Sequence, residues 1–189
     1  MKRGALTGGF ADPPTDAARA FRAALNAMAR PGVIETVAGA MPPPPLSVAA
    51  GVLLLTLTDG TTPVHLAGAH DCAAVRDWIT FQTGASMSAA QDCGFALGTW
   101  NALQPVTRFA IGVPDYPDRS ATLIIECDRL ASRGARLSGP GIRSFAHLSL
   151  PEIAAFVANH SLYPRGFDCY LTSGPHLAAL PRTTKVEAA

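Results

Sequence analysis

The strongest secondary-structure signal is the run Ala121-Thr122-Leu123-Ile124-Ile125-Glu126-Cys127, which is apolar almost throughout. Such a run is typical of a strand that other elements cover on both faces. A strand buried in this way needs a layer of structure packed on each side of its sheet. The run therefore predicts the centre of a layered protein, and the flanking sequence decides which elements cover it.

Helical and strand-like segments alternate on both sides of this run. Apolar spacing and turn residues predict helices over about 16–29, 47–57, 71–82 and 149–162. They also predict strands at 33–37, 64–66, 95–97, 109–111 and 167–171. We expect the segment at 167–171 to be the final strand of the fold. The alternation predicts an α/β fold with an open sheet and helices on both faces. No internal repeat or second domain boundary is visible, so we expect residues 1–189 to form one domain.

The first predicted helix carries two stripes of side chains, and Thr15 or Asp16 is expected to cap its start. An apolar stripe predicts its buried face and consists of Ala17, Phe21, Ala24, Leu25 and Met28. A polar stripe with spacings of three to four residues consists of Arg19, Arg22, Asn26 and Arg30. Two interpretations of the arginines stay open, a solvated face or a surface for an anion or a partner protein.

Local signals predict how the other helices begin, end and pack. Ser47 is expected to cap the second helix, and Gly84 is expected to end the third. Ser149 and Glu152 match a capping box for the last helix. The third helix is expected to point four side chains inward, namely Val75, Trp78, Ile79 and Phe81.

The composition predicts a protein that hides part of its surface against another chain. Hydrophobic residues make up 48% of the chain and charged residues only 15%, against ~25% charged residues in average soluble domains. The net charge of +1 gives no reason to expect nucleic acid or a membrane as a partner. The start of the chain lacks the apolar stretch of a secretory signal, and the four cysteines form no Cys-x-x-Cys pair. We therefore expect a cytoplasmic protein with reduced thiols.

The sequence offers no complete catalytic arrangement that we recognise. The only lysines are Lys2 and Lys185, near the two ends, which disfavours Schiff-base chemistry with pyridoxal phosphate. The five histidines lack metal-binding spacing, and no Gly-x-Ser-x-Gly elbow is present. We predict no metal and no cofactor, and the catalytic residues stay unknown.

Four loops place arginine or hydroxyl residues beside proline or glycine, which restricts their movement. Guanidinium groups held in this way suit phosphate or carboxylate, because each can bind two oxygens at once. The candidate ligand or interface residues in these loops are Asp118, Arg119, Ser120, Gly139, Gly141, Arg165, Arg182, Thr183 and Thr184, and Arg22 and Arg30 of the first helix join them. Plainer interpretations stay open: a local Asp118–Arg119 ion pair, a tight turn at Gly139 and Gly141, and surface positions for Arg165 and Arg182.

Seven segments together resemble the H subunit of the bacterial carbon–phosphorus lyase system. They occur in that family's order from about residue 8 to residue 185, at 8–13, 20–22, 27–32, 115–123, 138–142, 164–166 and 180–184. The middle of the chain, about 38–110, matches mainly in hydrophobic character. The resemblance rests on the combination and order of the segments.

The resemblance implies a fold, partners and a role. The fold would be a three-layer Rossmann-like sandwich with a mixed central sheet, similar in layout to pyridoxal-phosphate-dependent transferases but without that cofactor. The chain would form a homodimer and join the G, I and J subunits. With the G, I and L proteins it would support formation of α-D-ribose 1-methylphosphonate 5-triphosphate from ATP and methylphosphonate. The chain itself would be a non-catalytic or accessory subunit. The alternative is that it would be a phosphonate- or nucleotide-binding module with an Arg-lined cleft.

Overall fold

A computed structural model describes residues 7–188 and contains a six-stranded mixed sheet. Its strands are β1 (Glu35–Thr36), β2 (Val64–Leu66), β3 (Phe95–Thr99), β6 (Thr122–Glu126), β9 (Asp168–Ser173) and β10 (His176–Leu180). Their order across the sheet is β1-β10-β9-β6-β3-β2. The apolar run at 121–127 thus forms one of the two central strands, as predicted.

Four neighbouring strands run parallel, β10 runs against them, and β1 at the edge runs in their direction again. β2, β3, β6 and β9 pair in parallel, with Leu97 opposite Ile124 and Ile124 opposite Tyr170. β10 pairs antiparallel with both β9 and β1. The sheet therefore has an amino edge, where its parallel strands begin, and a carboxyl edge, where they end.

The two faces of the sheet bury separate apolar cores. One face packs against α1 (Pro13–Ala29), α2 (Val48–Leu57) and α3 (Ala73–Thr83). The other face packs against α4 (Trp100–Leu103), α5 (Ile153–His160) and a small antiparallel sheet. The strands of that small sheet are β7 (Ala135–Ser138), β8 (Ala146–Leu148) and β11 (Lys185–Glu187). Helices on both faces confirm the predicted α/β class.

The first helix differs from its prediction in both its start and its buried face. It begins at Pro13 after Asp12, so neither Thr15 nor Asp16 is its N-cap residue. The buried residues of α1 are alanines, Ala20, Ala24 and Ala27. The predicted inward residues Phe21 and Leu25 are 51% and 56% exposed. The small alanines let α1 pack closely against α2 and β10, so the bulky side chains are turned outward.

The caps of the next two helices are largely as predicted. The Ser47 hydroxyl accepts a hydrogen bond from the amide of Ala50 at 3.1 Å, which caps α2. Gly84 ends α3 in a left-handed conformation with φ +75°.

The buried face of α3 consists of Val75, Trp78 and Ile79, as predicted. The prediction that Phe81 also points inward is wrong, since its side chain is 49% exposed.

The predicted capping box of the last helix is wrong. α5 spans only Ile153–His160, and its N-cap residue Glu152 makes no side-chain capping bond. The Ser149 hydroxyl accepts a hydrogen bond from the amide of Ala131 at 2.9 Å, and the Glu152 carboxylate accepts one from the Trp100 indole at 2.9 Å. Both side chains are therefore engaged with other elements.

Three strand predictions also need correction. The segment at 33–37 contributes only the two residues of β1 to the sheet. Phe109 ends a short 3-10 turn, and the strand that follows, β4 (Ile111–Val113), pairs with β5 (Tyr116–Ser120) in a ribbon outside the central sheet. The strand at 168–173 is not the final one, because β10 and β11 follow it.

Within residues 7–188, none of the helices has both the length and the apolar character that a membrane crossing requires.

Candidate functional site

Arg182 is the centre of a hydrogen-bond network at the amino edge of the sheet. Its guanidinium donates to both oxygens of the Asp168 carboxylate, with Nη2 2.7 Å from Oδ2 and Nε 3.1 Å from Oδ1. It also donates to the Pro117 carbonyl at 2.8 Å and to the Ser120 hydroxyl. The arginine thereby ties the end of β10 to the start of β9 and to the β4–β5 ribbon.

This network engages the Arg182 side chain within its own chain. Its side chain is only 11% exposed and that of Asp168 is 28% exposed. The Arg182 amide also donates to Asp168 Oδ1 at 2.8 Å. A bidentate pair of this kind fixes two backbone segments relative to each other. The arrangement favours a structural role for Arg182 over the capture of a free anion.

The glycine turn after β7 lies against two other candidate segments. A Cβ added to Gly141 would lie 1.9 Å from the Ala29 carbonyl oxygen, next to Arg30 at the end of α1. A Cβ on Gly139 would lie 3.2 Å from the Thr183 carbonyl oxygen. The two glycines have φ +80° and +127°, and Gly139 accepts a hydrogen bond from the Ile142 amide. The tight-turn interpretation therefore fits the geometry, and the turn brings distant segments together.

The remaining loop candidates lie nearby on the same edge. The Arg119 guanidinium stacks 4.1 Å from the centroid of the Tyr116 ring. Among the described residues, Arg119 forms no ion pair with Asp118, which is exposed. The Arg165 amide donates to the Leu162 carbonyl, and the next amide, of Gly166, donates to Ile111 of the ribbon.

The structure therefore gathers most of the sequence candidates in one region. Arg30, Asp118, Arg119, Ser120, Gly139, Gly141, Arg165, Arg182, Thr183 and Thr184 lie at or near the amino edge. Arg22 is separate from them, on the exposed side of α1. Open α/β sheets normally bind ligands at the carboxyl ends of their strands. The gathered residues thus lie at the edge opposite to the one where such sheets normally bind ligands.

A cleft of about 520 Å³ opens at the opposite, carboxyl edge of the sheet. The segments after β3 and β6 line it together with the loop before α5, through Thr99, Trp100, Asn101, Glu126, Cys127, Asp128, Arg129, Ser149, Leu150 and Pro151. Its volume is within the usual range for small-molecule sites. No sequence motif predicts this cleft, because its residues come from three separate segments. The one available signal was the polar Glu126 at the end of an apolar strand.

Glu126 is held between the two cores by neutral donors. Its Oε1 accepts from the Ser47 amide at 2.7 Å, and its Oε2 accepts from the Thr172 hydroxyl at 2.9 Å. The His70 Nε2 lies 3.9 Å from Oε1. His70 is buried, and burial lowers its pKa below the ordinary 6.5, although the Glu126 carboxylate opposes that shift. Glu126 thus joins β6 to the start of α2 through Ser47 and to the turn after β2 through His70.

The buried histidine predicts a loss of stability in acid. In the unfolded chain His70 takes up a proton as the pH falls through about 6.5, whereas the folded protein resists that proton. The free energy of unfolding should therefore fall below that pH, by at most about 1.4 kcal/mol for each pH unit. His70→Gln should make this decrease shallower, as measured by urea unfolding at about pH 7 and about pH 5.

A core substitution without a titratable group provides the control. Ile79→Val should lower stability by a similar amount at both pH values, since Ile79 is fully buried in the core of the α1–α3 face. An identical pH slope in His70→Gln and the unsubstituted protein would contradict the role given to His70.

Three of the four thiols, those of Cys93, Cys127 and Cys169, are poorly suited to nucleophilic attack at neutral pH. Burial raises the pKa of Cys127, which lines the cleft, to about 12 and that of Cys93 to about 11. Burial raises the pKa of Cys169 well above its ordinary value. The reactive form of a cysteine is the thiolate, so these three side chains are mostly in the unreactive form.

The other groups that could hold a metal or a carbonyl cofactor are dispersed. Within residues 7–188, no group of three or more His, Cys, Asp or Glu side chains could hold a metal ion. The side chain of Lys185 is 59% exposed on β11, where it pairs with Glu187 at 2.7 Å. Lys2 lies outside the described residues.

The fold and site define an α/β protein with a mixed central sheet, a braced amino edge and an open cleft at the carboxyl edge. Comparison with known families gives a match to "Bacterial phosphonate metabolism protein (PhnH)" over residues 8–187. The chain therefore belongs to the PhnH family, which confirms the resemblance found in the sequence.

Two curated relatives support this assignment. The chain is similar to the "Alpha-D-ribose 1-methylphosphonate 5-triphosphate synthase subunit PhnH" of Rhizobium meliloti (strain 1021), with 39% identity over 190 residues. That alignment covers 96% of this chain and 95% of the relative. It is also similar to the "Putative C-P lyase subunit protein HtxG" of Stutzerimonas stutzeri, with 25% identity over 88% of this chain and 84% of the relative.

Proposed function

We propose that this chain is an accessory subunit of the enzyme complex that forms α-D-ribose 1-methylphosphonate 5-triphosphate from ATP and methylphosphonate. The observation that carries this proposal is the similarity, along nearly its whole length, to a relative named as a subunit of that synthase. A match that covers both chains almost completely supports a shared role more strongly than a match of one segment.

The side chains support an accessory role over a catalytic one. The cleft-lining thiol of Cys127 has a pKa of about 12, far above neutral pH. The buried His70 is held without a proton at neutral pH and is enclosed by the protein. Arg182, a candidate for anion binding, is engaged by Asp168 and Ser120. General acid–base or nucleophilic catalysis needs such groups in reach of a substrate.

The proposal includes the partners that the resemblance implies. The chain would act in the cytoplasm as a homodimer, in a Rossmann-like layout, and would assemble with the G, I and J subunits. It would be needed together with the G, I and L proteins for the displacement of adenine from ATP. The low charged fraction of 15% supports extensive contact with other chains.

An omission experiment tests this role. Purified G, I and L proteins are incubated with ATP and methylphosphonate in the presence and absence of this chain, and free adenine is measured by chromatography. We expect adenine only when this chain is included. Equal adenine release without it would contradict the proposal.

A second candidate function is a phosphonate- or nucleotide-binding module of the same pathway. The observation that favours it is the carboxyl-edge cleft, which contains Arg129 and two hydroxyl side chains, Thr99 and Ser149. Calorimetric titration of the purified chain with ATP or methylphosphonate separates the two candidates. Heat of binding by the isolated chain supports the module, and its absence supports the purely accessory role.

A further inference from the structure

The outward side of α1 combines apolar and cationic side chains. We define the α1 outer face as the exposed residues Ala18, Phe21, Arg22, Leu25 and Ala29. Phe21 and Leu25 are four residues apart, so they lie on the same side of the helix one turn from each other. Each exposes more than half of its surface. Large apolar side chains that adjoin each other on a surface mark a contact site.

The charge of this surface has one sign. Arg22 lies between the apolar residues of the outer face, and Arg19 and Arg30 are exposed beside it. Arg19 has only a 3.9 Å contact with Asp16, and its side chain is 77% exposed. The α1 outer face itself contains no acidic residue. The face is therefore apolar at its centre and cationic along one side.

A groove runs beside the cationic side of the face. It has a volume of about 400 Å³ and is lined by Arg19, Arg22, Ala23, Asn26 and Glu35. The Asn26 amide donates a hydrogen bond to the Glu35 carboxylate. That bond engages one oxygen of the one carboxylate in the groove, and among the described residues neither guanidinium forms an ion pair with this carboxylate.

We propose that the α1 outer face docks an acidic, amphipathic segment of another subunit of the complex, an inference that rests on the proposed function. Apolar side chains of that segment would cover Phe21 and Leu25, and its carboxylates would pair with Arg19 and Arg22. A second copy of this chain fits less well, because two such faces would bring their arginines together without acidic partners. Like charges brought together at an interface oppose association.

The test measures assembly with the G, I and J subunits by size-exclusion chromatography and by titration in increasing salt. Two variants change the face, Phe21→Ser/Leu25→Ser and Arg22→Glu. We expect each to weaken association about tenfold or more, and salt to weaken association of the unsubstituted chain. Matched controls are Phe81→Ser, which changes an exposed phenylalanine of α3, and Arg133→Glu, which changes an exposed arginine in a loop. These controls should associate normally.

The outcomes distinguish this inference from the function on which it rests. If the unsubstituted chain fails to join the G, I and J subunits, the proposed function fails, and the inference fails with it. If that chain joins them and both face variants join equally well, only the docking inference is overturned. Sedimentation velocity of the isolated chain adds a further check. A face variant that loses self-association while keeping its affinity for the other subunits would overturn the inference in favour of a self-interface.

Discussion

Arg182→Ala is expected to lower the free energy of unfolding by about 2–3 kcal/mol. The substitution removes four side-chain hydrogen bonds and leaves the partly buried Asp168 carboxylate without its cationic partner. The amide bond from residue 182 to that carboxylate can remain, which limits the loss. Urea unfolding followed by circular dichroism measures the difference.

Arg119→Ala provides the matched control, since both arginines come from loops that the sequence marks as candidates. Arg119 is exposed, and its guanidinium stacks on the Tyr116 ring. Its removal should cost about 1 kcal/mol or less. Equal stability of the Arg182→Ala and Arg119→Ala proteins would contradict the structural role given to the Arg182 network.

Gly141→Ala is expected to destabilise the protein by about 2–5 kcal/mol, from the left-handed backbone and from overpacking together. The glycine has φ +80°, and a Cβ would overlap the carbonyl oxygen of Ala29 at the end of α1. A backbone atom cannot rotate away as a flexible side chain could. The turn and the helix end would therefore have to separate, which thermal unfolding would report as a lower Tm.

Gly174→Ala separates the two causes. Gly174 also has a positive φ, +55°, but a Cβ there would meet nothing within 4 Å. Its substitution should cost only the backbone term of about 1–2 kcal/mol. A Gly141→Ala protein as stable as the Gly174→Ala protein would show that the turn does not press against α1.

The sequence predicted the four parallel strands of the sheet, which include its apolar central run, but it did not predict β10. The run at 121–127 predicts a central strand because it is apolar almost throughout. The caps at Ser47 and Gly84 depend on local chemistry that the sequence shows directly. The prediction that Phe21 and Leu25 are buried is wrong, because apolar spacing shows which residues share a side of a helix but not how closely the neighbouring elements approach that side. Packing against α2 selected the alanine side for burial.

The candidate site is harder to predict, because the role of each loop residue depends on which edge of the sheet its loop occupies. The sequence around Arg182 is the same whether its side chain binds a phosphate or pairs with Asp168, which is 14 residues away. Glu126 and His70 are 56 positions apart in sequence and meet only through the parallel pairing of β2, β3 and β6. The cleft that Glu126 lines is likewise built from three separate segments, so no single stretch of sequence predicts it.

The most direct test of the accessory role uses this chain alone. The purified protein, free of every other subunit and at a concentration comparable to that of ATP, is incubated with ATP and methylphosphonate, and adenine is measured over time. We predict no adenine above the background of the buffer, and release once the G, I and L proteins are added. Sustained adenine formation by the isolated chain would contradict the account.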